Sequence, residues 1–357
     1  MSQINIFKPD ISQVVKGIEG KAILLYGSNG VGKTLNATKA PKPYIICFEN
    51  GLGAISNVAY STITKWTDFL SVVKQFTAPA TRDQAKEMYE TIIIDGLEGL
   101  GQLCEPYVAA MYNADSVKSG NKGFGLWSEF EAELRKPIKA LCSSGFTVIF
   151  LGHEAEREFP TLTMNADGEY KMKKLYPKGE KRAIDTIINE CDIVGYIQAQ
   201  PANELGHEVL STVYFANNNA FIAKTRYPYL VREIKEWSYE KLEKALIAAI
   251  AKGEKVSGHK TITPKEFVDQ NDAKKAADLE NYSNEELIQH IGQMLLQSRD
   301  AHMKTNPDNP MIEYDEIKKA HNIAPDFKCQ AATEKDTEIL QMIHQDLVDK
   351  GYTWKEI

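Results

Sequence analysis

Eight consecutive residues carry the first recognisable chemistry. Gly27, Ser28, Asn29, Gly30, Val31, Gly32, Lys33 and Thr34 fit the pattern GxxxxGK[ST] in full. Glycines in such a loop let backbone N–H groups wrap a run of phosphates, and a helix that starts there adds a favourable dipole. Lys33 is then placed to reach the β- and γ-phosphates, and the Thr34 hydroxyl to ligate Mg²⁺. The segment follows an apolar run, Ala22–Tyr26, and precedes a helix-like stretch, Leu35–Lys39, which is the context the mechanism requires. ATP, or another nucleoside triphosphate, and Mg²⁺ are therefore the expected cofactors.

Mg²⁺ needs a second anchor, and hydrolysis needs a group that polarises water. Thr91–Ile94 is an apolar run ending in a carboxylate, Asp95, 62 residues after Lys33; this is the form of a Walker B element. Asp95 is the second expected metal residue, acting through water. Gly96 follows it, so the common Asp-Glu arrangement is absent. A second run, Tyr44–Phe48, ends in Glu49, which becomes the candidate general base; the plainer alternative is a solvated Glu opening a turn into Asn50-Gly51. A third run, Thr147–Leu151, leads through Gly152 to His153, whose polar side chain at a strand end suits a γ-phosphate sensor.

The elements that must position these residues are short, continuous, β-branched-rich runs separated by stretches long enough for crossover helices. That pattern indicates strands buried on both faces of a mostly parallel α/β sheet. Further strands are expected at Ile193–Gln198, Glu208–Phe215 and Ala220–Ala223, with a hairpin turn at Asn217-Asn218-Asn219 between the last two. Residues 238–251 read as an amphipathic helix capped by Ser238 and stopped at Gly253. The expected organisation is a core at 1–252, a linker at 253–265 and an acidic, mostly helical region at 266–357, with helices near 283–300, 310–320 and 333–350.

Bulk properties narrow the class. Of 357 residues, 43% are apolar and 25% charged, as in ordinary globular proteins. Neither a signal-peptide pattern nor an apolar run near the ~20 residues of a membrane span is present, so a cytoplasmic protein without a membrane role is expected. The five cysteines form no CxxC pair, which indicates reduced, buried thiols. Net charge is −7, so no global basic field argues for nucleic acid. Residues 255–357 hold 13 Lys/Arg against 19 Asp/Glu, an acidic appendage on a near-neutral body.

Taken together, the P-loop, the Glu49 strand end, IIIDG and FLGH resemble a RecA-like P-loop ATPase core. More narrowly, residues 18–232 are similar to phage-encoded RecA-like nucleotide-binding proteins, some of which are single-strand annealing recombinases. The resemblance implies that the Glu49 strand lies next to the P-loop strand. It implies that Lys224 and Arg226, read as following the Ala220–Ala223 strand, reach a neighbouring subunit's ATP site and neutralise transition-state charge, which requires a ring or filament. It also implies single-stranded DNA as a partner, bound by loops after the Walker B and sensor strands. The first such loop offers Lys118, Lys122 and Phe124. The second offers Lys171, Lys173, Lys174, Lys178 and Arg182, with Tyr170 and Tyr176 interleaved. The plainer alternative for the second is a solvated hairpin turning at 165–168, and its leading acids Glu154, Glu156 and Glu158 weigh that way. The acidic tail could dock a single-strand-binding protein or another replication or recombination protein. Other readings stay open: a hexameric helicase or helicase loader, a nucleotide-dependent switch with no DNA role, and, more weakly, a small-molecule kinase.

Overall fold

The computed structural model describes residues 13–49, 53, 55–164, 168–201, 210–267, 283–303, 307 and 309–352. They form two compact units, Gln13–Pro264 and the described residues from Lys265 onward.

In the first unit the apolar runs become the strands β1 (Ala22–Gly27), β2 (Pro43–Cys47), β4 (Thr91–Asp95), β5 (Thr147–Gly152) and β8 (Ile193–Gln198). With β3 (Ala59–Thr62) they lie parallel in the order β8-β1-β5-β4-β2-β3. Each central strand is apolar throughout because both its faces are covered. Leu24 and Tyr26 pack into one core with residues of α2 (Trp66–Thr77), α4 (Leu97–Met111), α5 (Trp127–Cys142) and α6 (Lys181–Glu190). Ile23 and Leu25 face the opposite core, with residues of α1 (Lys33–Ala37) and α7 (Tyr239–Ser257). A further helix, α3 (Pro79–Met88), precedes β4. The α/β architecture expected, a mostly parallel sheet between helices with the phosphate loop after its first strand, is the one observed.

Three short strands close the sheet's other edge: β9 (Thr212–Tyr214) and β10 (Lys224–Thr225) run antiparallel to β8, and β11 (Glu233–Ile234) antiparallel to β9. The strand expected at Glu208–Phe215 is thus represented by Thr212–Tyr214; residues 202–209 lie outside the described residues. Ala220–Ala223 is not a strand. Its backbone is committed elsewhere, Ala220 O and Ile222 N to Leu175 and Ile222 O to the Tyr26 hydroxyl. The asparagine turn also differs, because the Asn218 side chain accepts from the N–H groups of Ala220 and Phe221, and both flanking strands pair with β8 rather than with each other. A separate two-stranded hairpin, β6 (Glu154–Pro160) with β7 (Lys171–Pro177), leaves the core directly after His153. Its turn at 165–167 lies outside the described residues.

Helix α7 starts where expected, with Ser238 accepting from the Lys241 N–H. It runs through Gly253 to Ser257 and stops at Gly258, whose φ of 71° is the left-handed conformation that favours glycine at this position. The first part of the expected linker is therefore helix, and Ile262 beyond it bridges to Val15. In the second unit α8 (Asn284–His302), α9 (Ile312–Ala320) and α10 (Thr337–Asp349) enclose a core that includes Leu287, Ile291, Met294, Ile317, Leu340 and Ile343. No helix of the described residues is long and apolar enough to cross a membrane.

Candidate nucleotide site

The phosphate loop occupies the turn between β1 and α1. Gly27 is required by contact: a Cβ there would lie 2.2 Å from the Ile197 carbonyl oxygen on β8. Gly32 caps α1 with φ 79°, in the left-handed region. The Lys33 ammonium donates to the carbonyls of Gly27 (2.9 Å) and Ser28 (2.8 Å), folding back over the loop whose phosphates it is suited to meet. Burial lowers the Lys33 pKa, opposed by Asp95, Glu49, Glu154 and Glu98. From the other side, Trp237 donates its ring N–H to the Val31 carbonyl at 3.4 Å.

The two residues read as metal ligands, Thr34 and Asp95, lie side by side. The Thr34 hydroxyl donates to Asp95 Oδ2 at 2.9 Å. Two oxygens held at right angles about 2.0–2.1 Å from one Mg²⁺ stand about 2.9 Å apart, so this pair matches one edge of an octahedral site. Both donors are hard oxygens, as Mg²⁺ prefers. Burial is the main cause of a raised Asp95 pKa, offset by the Thr34 hydrogen bond and reinforced by Glu49. A divalent cation held there would offset that penalty.

Glu49 reaches the site by a different route from the one implied. Its strand does not adjoin β1; the order β1-β5-β4-β2 puts two strands between them. At ~4.8 Å per strand the β2 end would stand roughly 14 Å from β1. The gap is bridged over Gly96. With φ 95° and no side chain, Gly96 leaves room for Glu49, whose Cγ would lie 2.7 Å from a Cβ there. Glu49 Oε2 then comes to 3.4 Å from His153 Nε2, and His153 Nδ1 lies 3.5 Å from Lys33 Nζ. The strand ends of β2 and β5 thus converge on the lysine, a base candidate and a sensor candidate in one line.

The family model described as "AAA domain" matches residues 19–227. The chain belongs to the AAA domain family. Across 346 residues this AAA domain protein is 36% identical to the "SPbeta prophage-derived uncharacterized protein YorG" of Bacillus subtilis (strain 168), covering 97% of this chain and 98% of that one. Among solved structures it is similar to the KaiC-like protein PH0186 from Pyrococcus horikoshii OT3, with 13% identity, a TM-score of 0.30, and coverage of 57% of this chain and 88% of that one. Family and loop together identify a P-loop NTPase.

The other candidate residues of the AAA domain are not gathered at the loop. Lys224 belongs to β10 itself rather than following a strand, and pairs with Val194 near the start of β8. Gly27 is level with Ile197, near the end of β8. Lys224 and Arg226 therefore lie at the sheet edge away from the chain's own phosphate site. Lys224 donates to the carbonyls of Ile188 (2.6 Å) and Asn189 (3.4 Å), while Arg226 binds Asp192 (3.1 Å) and the Asn189 carbonyl (2.8 Å).

Lys118 and Lys122 are exposed in the α4–α5 loop, and Phe124 is 85% exposed, unusual for a ring with no surface task. The hairpin lysines are less free than their run suggests. Lys171 lies 3.8 Å from Glu158 and Lys173 3.6 Å from Glu156, because the antiparallel register sets the acids of β6 beside the bases of β7. Lys178 faces Glu98, Arg182 faces Glu180, and Lys174 donates to the Asn218 carbonyl. Tyr176 is not a stacking platform: it is buried, its hydroxyl bonds Asp185, and Arg157 covers its ring. The Arg182 guanidinium stacks on Trp127 at 4.4 Å, which joins the end of the first candidate loop to the end of the second.

Sequence reasoning missed Glu98. It sits in the first turn of α4, where an acid reads simply as a partner of the helix dipole. The fold instead turns it toward Glu49 and His153, with ligand atoms of all three within 4.8 Å of one another.

Proposed function

We propose that this AAA domain protein is a phage-encoded, DNA-dependent ATPase. In this reading it binds single-stranded DNA and promotes recombination or strand annealing. It works as a ring or filament in which Lys224 and Arg226 complete a neighbour's nucleotide site. One observation carries the proposal: an unbroken line of contacts from the phosphate loop to an exposed hairpin. Lys33 meets His153, His153 meets Glu49, and the His153 carbonyl accepts from the Lys178 N–H at 2.8 Å, at the base of β6–β7. A γ-phosphate that displaced Lys33 or His153 would act directly on that base. Exposed ion pairs such as Lys171–Glu158 are worth about 0–1 kcal/mol, so their lysines are readily transferred to DNA phosphates.

In this mechanism Thr34 and Asp95 would hold Mg²⁺, which would supply neutralisation of phosphate charge. Glu49 accepts the proton of the attacking water, and His153 registers the γ-phosphate. The test is ATP turnover with and without single-stranded DNA across a salt series. Stimulation that fades with salt is expected, and salt-insensitive turnover with no DNA binding would remove the DNA role. A second reading, a nucleotide switch without DNA, is favoured by the internal neutralisation of the hairpin lysines. It predicts nucleotide-dependent assembly with no response to DNA.

A further inference from the structure

We propose that Glu49, Glu98 and His153 bind one zinc-class divalent cation in the nucleotide-free protein, and that this cation silences hydrolysis. The three side chains come from three elements, the end of β2, the first turn of α4 and the residue after β5. Their ligand atoms lie within 4.8 Å of one another. Two further observations point to a cation. First, the Glu98 side chain is 12% exposed, and its Oε2 is sealed from solvent and accepts no hydrogen bond. Lys178 lies 3.7 Å from the other oxygen. A buried carboxylate oxygen left without a donor carries a large desolvation cost, which a metal would relieve. Second, the 3.4 Å between Glu49 Oε2 and His153 Nε2 is long for a hydrogen bond. It matches the edge of a tetrahedron whose ligands stand about 2.0–2.1 Å from Zn²⁺.

Charge favours the same conclusion. Asp95, Glu49, Glu154 and Glu98 all act on Lys33, and with Lys178 beside Glu98 these four carboxylates share two ammonium groups. The donor set also discriminates. Asp95 and Thr34 offer only oxygens, suited to Mg²⁺, whereas an imidazole with two carboxylates suits Zn²⁺ and its neighbours. A cation held by Glu49 and His153 occupies the groups assigned to water activation and γ-phosphate sensing. The silencing half of the inference therefore rests on the proposed function; the binding half does not.

The experiment titrates the full chain, without nucleotide, with Zn²⁺ by calorimetry and with Co²⁺ by absorption. One equivalent should bind, with no thiolate charge-transfer band to implicate a cysteine. Glu98→Gln and His153→Asn should each weaken binding about 10-fold or more, the size typical of losses at metal sites. Asp95→Asn should leave it essentially unchanged, and a circular dichroism melt of each variant checks folding. Absence of binding, or binding indifferent to both cluster substitutions, overturns the site. Zinc-loaded protein given Mg²⁺ and ATP should not turn over until chelator is added; full turnover while zinc stays bound overturns the silencing. If the wild-type chain hydrolyses no ATP at all, the proposed function fails while the titration still decides the metal site.

Discussion

The substitution that most sharply tests the catalytic geometry is Gly96→Ala, which adds one methyl group and changes no charge. In the native chain Gly96 has φ 95°, and an added Cβ would lie 2.7 Å from Glu49 Cγ. Carbon atoms pack comfortably at about 3.5–4.0 Å, so Glu49 must retreat by about 1 Å. Errors of that size in the placement of a catalytic group cost about 10²-fold in rate. The left-handed backbone adds a separate stability cost of about 1–2 kcal/mol. For a unit of this size that lowers the melting temperature by roughly 2–8 °C. The expected result is a folded protein that binds nucleotide nearly as well as wild type and turns it over about 100-fold more slowly. In a Glu49→Ala background, Gly96→Ala should cost stability but no further activity, because the displaced side chain is already gone. If Gly96→Ala alone hydrolyses ATP at close to the wild-type rate, Glu49 does not act from the position described, and its assignment as base fails.

Glu49→Gln should bind nucleotide normally while turnover falls about 10²- to 10⁴-fold, measured by phosphate release. Lys224→Ala with Arg226→Ala should lower turnover of assembled protein by about 10³-fold or more if the pair acts across subunits. The Arg226–Asp192 pair is half exposed, so the accompanying loss of stability should stay below about 1 kcal/mol. His344, buried in the second unit, has its pKa pushed down to about 4 by burial and by His290. The unfolded chain therefore takes up the proton first, and stability falls as pH drops from about 6.5 to about 4, by at most about 3 kcal/mol before solvent screening. Thermal melts across that window should show it, and His344→Leu should flatten it. Changing Lys171, Lys173 and Lys174 together to Ala should reduce the salt dependence of DNA binding; an unchanged slope would place DNA elsewhere.

The parallel strands and the phosphate loop were legible because their signals are local. Apolar runs are buried on both faces, and the loop pattern names its own chemistry. Thr34 and Asp95 come together for the same reason, since each lies at the end or start of an element whose direction is set. Strand order was not legible. Neighbours in a sheet are decided by crossover packing, so the two strands between β1 and β2 could not be seen from Tyr44–Glu49 alone. The edge strands failed for another cause: Ala220–Ala223 has strand composition, but the Tyr26 hydroxyl and Leu175 claim its backbone. Pairing across the hairpin was hidden too. Glu156 and Lys173 are far apart along the chain, and only the register of β6 with β7 makes them partners. Glu98 was overlooked because a helix-start acid is so ordinary that its spacing carries no information.

The hairpin leaves the core and returns to it at nearly one point: Glu154 pairs with Pro177, and the next N–H, that of Lys178, bonds the carbonyl of His153. Its seven paired residues per strand span roughly 24 Å at about 3.4 Å each. The arm is not held at that point alone: Leu175 bonds the backbone of Ala220 and Ile222, Tyr176 is buried, and Arg157 pairs with Asp185 of α6. Any shift of its base at His153 is therefore shared with α6 and with Ala220–Ile222, which the arm would carry along.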